Sequence, residues 1–213
     1  MAKKIALGNL NEKEQKAAQL EVGVTQATVL QKLRHPNIVG YKESFIDEGE
    51  LIIIMEYCEG GDLAHQVKLH KDRNEMIPEA QIMSWFAQLC LALHFVHEKK
   101  VMHRDIKTSN VYLTRSGMVK LGDFGIAKVL ENTADVAMTV VGTPYYMSPE
   151  VVENKPYSAK SDVWALGCIL YELCTLKHAF VADNLLGLVF KILREKYEQI
   201  PSVYSQEIST LIK

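Results

Sequence analysis

The sequence predicts an α+β fold in two parts, a small strand-bearing first lobe and a larger helical second lobe. Three observations carry this. Runs rich in β-branched and aromatic residues, at 38–45 and 51–57, come early. Helical periodicities come late, at 78–96, 161–173 and 185–196. Between them a polar stretch at 123–150, rich in Thr and Gly, is too long for an ordinary connection and reads as a functional loop.

Each element has a local reason. Asn11-x-x-Glu14 reads as a capping box, with the Asn side chain accepting first-turn amides and Glu14 reaching back. The charged helix it opens meets Val22-Gly23-Val24-Thr25, a poor helical stretch, and resumes at Val29, Leu30 and Leu33 until Pro36 stops it. Asp47-Glu48-Gly49 reads as the turn of a hairpin, and Gly60-Gly61-Asp62 as a hinge between the lobes. Pro78 is expected at the first position of a long helix that buries Ile82, Trp85, Phe86, Leu89, Leu93 and Val96 on one face. Two short strands, 111–113 and 118–121, flank a Thr-Arg-Ser-Gly turn. Ser161-Asp162 is expected to cap an apolar helix through Leu173, and an amphipathic helix over 185–196 is expected to be the last.

Composition bounds the function. In 213 residues, 24 basic and 26 acidic side chains leave a formal charge of -2, which disfavours a polybasic nucleic-acid or membrane binder. The apolar content of 48% suits a soluble globular chain, and no apolar run is long enough to span a bilayer. The residues MAKKIALGNL lack a signal peptide's apolar stretch. Cys58, Cys90, Cys168 and Cys174 have no CxxC spacing and read as reduced core thiols, so a cytoplasmic protein is expected. The sequence assigns no oligomeric state. His65, His70, His94, His97 and His178 form no metal-ligand pattern.

Four segments stand in a set order: His103-Arg104-Asp105-Ile106-Lys107-Thr108-Ser109-Asn110, Asp123-Phe124-Gly125, Gly142-Thr143-Pro144-Tyr145-Tyr146-Met147-Ser148-Pro149-Glu150, and Asp162-Val163-Trp164. Any one triplet is weak evidence, but their order is specific. They resemble the catalytic loop, metal-binding loop and Ala-Pro-Glu segment of protein kinases. Phosphoryl transfer requires a carboxylate at the attacking hydroxyl, a divalent metal on the phosphates and cations on the developing charge. Asp105 would be the base, Asn110 and Asp123 hard oxygen ligands for Mg2+, and Lys107 a cation on the transferring group.

The chain resembles, more narrowly, the NIMA-related serine/threonine kinases. That match rests on Arg34-His35-Pro36-Asn37-Ile38-Val39, on Met55-Glu56-Tyr57-Cys58-Glu59-Gly60-Gly61-Asp62-Leu63, and on the Gly142 to Glu150 segment. The resemblance implies a bilobal kinase-like fold, with residues 1–58 as a partial N-lobe and 59–213 as the C-lobe. It implies ATP and Mg2+, and a protein substrate phosphorylated on Ser or Thr, since Lys107 stands two residues after the base. It places Met55 as gatekeeper, with Glu56 and Cys58 at the adenine-binding hinge, and Thr143 beside the base. Arg104 would pair with a phosphate on Thr139, Thr133 being a further candidate, which would order the loop. Cytoskeletal, ciliary or nuclear association is implied by family alone.

The chain also departs from the family's pattern. Lys3 aligns with the ATP-binding lysine only two residues into the chain, and the glycine-rich loop precedes that lysine in the family. The expectation is a fold truncated at both ends, with Lys3 either the phosphate-binding lysine or part of a frayed basic terminus. Glu21 best matches the helix glutamate that pairs with this lysine, a solvated helix face being the other reading. Residues 22–26 interrupt the family spacing and rotate the downstream residues by about 140° beyond a full turn. Either they bulge, or Gln26 takes the position, or they are retained intron sequence. Glu150 is expected to lack its usual arginine partner, at a cost if buried. These departures leave a rival function class, a catalytically silent fragment or pseudokinase acting as a binding module. His103 and Asp162 are expected to support the catalytic loop structurally, and Cys58 to be a buried, inert thiol.

Overall fold

A computed structural model describes residues 1–6, 31–124 and 144–213. Expectations for the Asn11–Glu14 capping box, Glu21, residues 22–26, Thr133, Thr139 and Thr143 lie outside the described residues.

The first sheet has three antiparallel strands, β1 (Ala2–Ala6), β2 (Tyr41–Asp47) and β3 (Glu50–Met55), in the order β1-β3-β2. The β2–β3 hairpin turns at Glu48-Gly49, where both residues have positive φ, 47° and 78°. Such a two-residue turn matches the twist of paired strands, and glycine takes the second position without a Cβ penalty. β1 is not frayed. It pairs with β3 along its whole length, and the Met1 ammonium donates to the Met55 carbonyl at 2.8 Å. Backbone pairing on the inner edge of β3 offsets the entropy of a terminus, which is why that expectation fails.

The remainder is helical around a second, two-stranded sheet, β4 (Val111–Leu113) as expected with β5 (Val119–Leu121), which starts one residue later than expected. Helix α1 (Leu63–Arg73) begins at Asp62, whose carboxylate accepts the His65 amide at 2.8 Å. Its few apolar residues, of which only Leu63 and Val67 are buried, hide it from a periodicity reading. Gly60 and Gly61 are no free hinge: the Gly60 amide donates to the Leu113 carbonyl, and the Leu113 amide donates to Gly61. A Cβ at Gly60 would lie 2.6 Å from the Thr114 carbonyl oxygen, so the pair is clamped on β4.

Helix α2 (Glu79–Glu98) buries the expected face, with Ile82 and Val96 fully enclosed. Pro78 is its N-cap rather than its first helical residue, with ψ of 138°. A short turn, α3 (Pro149–Val152), precedes α4 (Ala159–Thr175). The cap of α4 is Ser158, in a reciprocal box with Ser161, not Ser161-Asp162. Asp162 is thereby inside the first turn and completely buried. α5 (Leu185–Leu193) ends three residues before expectation, and α6 (Gln206–Ile212), capped by Ser205, comes after it. The main core joins α2 and α4 with both strands of the second sheet, through Leu89, Leu93, Leu121, Ile169 and Leu173.

One segment couples the two sheets. The Val39 amide donates to the Leu121 carbonyl, and the Leu121 amide donates to Asn37. The buried Asn37 amide group donates to Gln88 on α2 and to the Val119 carbonyl. His35 stacks on Phe95 of α2, which fixes the turn at Pro36. The first sheet is therefore seated against the end of β5, where the Asp123 segment begins.

Candidate active site

The catalytic-loop residues lie between α2 and β4, in a segment that hydrogen bonds hold from below. Asp162, at the start of α4, accepts the amides of His103 at 3.0 Å and Arg104 at 3.1 Å, along with the His97 ring and the Tyr157 hydroxyl. A carboxylate in a first helical turn is also favoured by the helix dipole. His103 is completely buried, its Nε2–H donating to the Gly122 carbonyl and its Nδ1 accepting the Asp105 amide. Burial holds its pKa below the ordinary imidazole value, so the ring is neutral and its tautomer is set by these two bonds. It also packs against Phe124, linking this loop to the next. Both structural expectations, for His103 and Asp162, are met.

Above this support, Asn110 Nδ2 donates to the Asp105 main-chain oxygen at 2.7 Å and to Oδ2 at 2.8 Å. Lys107 Nζ lies 2.9 Å from the same Oδ2. Asp105, Lys107 and Asn110 thus form one cluster, made when the 3-10 turn Thr108–Asn110 brings the chain back on itself. Arg104 adopts φ of 66°, and its amide donates to Asp162.

Asp123 comes just after β5, with φ of 52°. Its Oδ1 is 2.6 Å from Lys3 Nζ, and its Oδ2 accepts the Tyr112 hydroxyl at 2.7 Å. Lys3, opposite Ile53 in the sheet, is therefore brought to Asp123, a partner the sequence reading did not name for it. Burial, and the Asp123 carboxylate beside it, raise the Tyr112 hydroxyl well above the usual phenol range, so it remains a donor.

At the connection after β3, the Glu56 carboxylate accepts the Gly40 amide and the Lys120 ammonium, at 3.0 and 2.9 Å. Partial burial works to raise its pKa, but the Lys120 bond and the Gly40 amide hold it below the usual range. Met55 is buried, and Cys58 is a buried thiol raised by burial, the inert character expected of it. The Tyr145-Tyr146 segment packs on α4: the Tyr146 hydroxyl donates to buried Glu172 and contacts Thr108, and Tyr145 stacks on His178 at 4.0 Å. Glu150 is not left without a partner. It is half-buried and accepts the Ser161 hydroxyl, which removes the expected penalty.

Among the described residues, no cluster of three His, Cys, Asp or Glu could hold a metal by itself. Asp123 and Asn110 carry carboxylate and amide oxygens, the hard donor class that Mg2+ takes alongside water and phosphate oxygens. Sequence reasoning missed Tyr112, Lys120, Tyr157 and Glu172. For Tyr112 the signal was available: strand alternation sets it on the face opposite Val111 and Leu113.

A single chain that carries this loop, this lysine–aspartate pair and this segment order has the construction of a protein kinase, and the family model for the protein kinase domain matches residues 1–213. The chain belongs to the protein kinase family. Its similarity is to the Nek serine/threonine kinases: it is 50% identical over 210 residues to serine/threonine-protein kinase Nek1 of Mus musculus, covering 99% of this chain and 17% of that protein. It is 51% identical over 212 residues to Nek4 of Mus musculus, covering 99% of this chain and 26% of that protein. With Nek5 of Homo sapiens, identity is 45% over 212 residues, covering 99% of this chain and 30% of the relative. The chain thus spans less than a third of the length of these relatives. Among the described residues no helix is long and apolar enough to cross a membrane.

Proposed function

We propose that the chain transfers the γ-phosphate of ATP to Ser and Thr hydroxyls of proteins. The observation that carries this is the Asp105 carboxylate held by Asn110 and Lys107. Asp105 accepts the proton of the attacking hydroxyl, and Asn110 fixes its rotation. Lys107 lies against the transferring group and offsets its developing charge. Asn110 and Asp123 would hold Mg2+, which would supply neutralisation of the phosphate charge. Lys3 addresses the nucleotide phosphates, and the main chain at Glu56 and Cys58 receives the adenine beside Met55. Glu21 is assigned as the partner of Lys3, Thr143 as a neighbour of the base, and Arg104 as the receiver of a phosphate on Thr139. The division into lobes at 58/59 and a cytoplasmic location belong to the same reading.

The test is phosphoamino-acid analysis after incubating the chain with Mg-ATP and a mixed peptide library. Phosphoserine and phosphothreonine are expected with the wild type and neither with Asp105→Asn. Phosphotyrosine alone, or no transfer, overturns the reading.

A further inference from the structure

Tyr112 is the middle residue of β4, between Val111 and Leu113, which point into the main core. Alternation turns its ring to the opposite face, against the cluster of Val39, Ile53, Met55 and Cys58. From there its hydroxyl donates to Asp123 Oδ2 at 2.7 Å while Lys3 takes Oδ1 at 2.6 Å. The ring also lies against the backbone just before the aspartate, since a Cβ on Gly122 would be 2.9 Å from Tyr112 Cε2 and 2.7 Å from Val39 Cγ2. Asp123 itself comes next, in the left-handed region, so no strand pairing sets where its carboxylate points.

We propose that Tyr112 is a positioning residue, whose hydroxyl fixes the rotation of the Asp123 carboxylate for divalent-cation binding. This rests on the reading of Asp123 as a metal ligand. A carboxylate that turns freely presents its lone pairs in many directions, and binding must then order it. A donor on each oxygen, one from each sheet, removes that freedom beforehand. Neither oxygen is filled, because an ionised carboxylate offers about four acceptor sites in total. Groups that orient a metal ligand through hydrogen bonds typically change metal affinity by about 10–100-fold.

The test is Mn2+ titration followed by the electron paramagnetic resonance of the free ion. It uses the 213-residue chain with a non-hydrolysable ATP analogue, as wild type, Tyr112→Phe, Tyr112→Leu and Asp123→Asn. Tyr112→Phe keeps the ring and loses one charge-assisted hydrogen bond, so its ligand-free melting temperature is expected to fall less than that of Tyr112→Leu while Mn2+ affinity falls about 10-fold or more. Tyr112→Leu is expected to lose affinity to the same degree. Unchanged or tighter Mn2+ binding by Tyr112→Phe overturns the proposal, because the hydroxyl then adds nothing or competes with the cation. A loss confined to Tyr112→Leu also overturns it, by assigning the effect to ring packing. Wild-type Mn2+ binding that survives Asp123→Asn overturns the metal-ligand reading itself, and the proposal with it.

Discussion

Lys3 Nζ lies 2.6 Å from Asp123 Oδ1, a contact between the first strand and the segment after β5 across 120 positions of sequence. Nothing local brings these side chains together. β1 pairs with β3, the segment at Asn37–Val39 pairs with β5, and the two attachments carry the ammonium to the carboxylate.

Removing the cation therefore separates function from stability. Lys3→Met is expected to lower turnover about 10²–10³-fold, the usual effect of deleting one preorganised electrostatic contact. The Lys3 side chain is 38% exposed, and partly exposed ion pairs contribute about 1 kcal/mol or less. Steady-state phosphorylation together with thermal melting checks this, and a large fall in melting temperature would contradict it.

Asn110 ties both the backbone and the side chain of Asp105. Asn110→Ala removes a neutral and a charge-assisted hydrogen bond and is expected to cost about 2–3 kcal/mol in urea unfolding. Turnover at saturating Mg-ATP is expected to fall more than about 10²-fold, because the base loses its orientation.

Asp162 carries the loop from beneath. Asp162→Ala leaves the amides of His103 and Arg104 without their acceptor. Each unsatisfied buried donor costs about 1–3 kcal/mol, so a loss of about 2–6 kcal/mol is expected from the two. The urea midpoint should fall with little change in slope, since the surface exposed on unfolding is similar.

His103 makes stability depend on pH. Its folded pKa is depressed by burial below the ordinary value, so the unfolded chain binds the proton more readily. Stability is then full above about pH 6.5 and declines as pH falls toward the folded value, by at most about 1.4 kcal/mol per pH unit for one proton. His35, depressed by burial and by Lys120, adds in the same direction. Urea unfolding between about pH 5 and 7.5 should show this slope, and His103→Gln should reduce it. An equal slope in that variant would assign the effect to His35 alone.

By itself the sequence determined the order of the strands and of the longest helices, though not α1 or α6, and the identity of the chemical groups. The buried face of α2 and the β4–β5 hairpin come from periodicity and turn chemistry, while Asp105, Lys107 and Asn110 are singled out by the catalytic-loop motif and its family resemblance. Only the tertiary structure decided the rest. It seated Lys3 on Asp123, gave Glu150 the hydroxyl of Ser161, placed Tyr112 against the Asp123 carboxylate and clamped Gly60 on β4 instead of leaving it free. These contacts join segments whose own propensities say nothing of one another. They form because a buried polar group must find a partner, and packing of the two sheets and α4 fixes which partner is within reach.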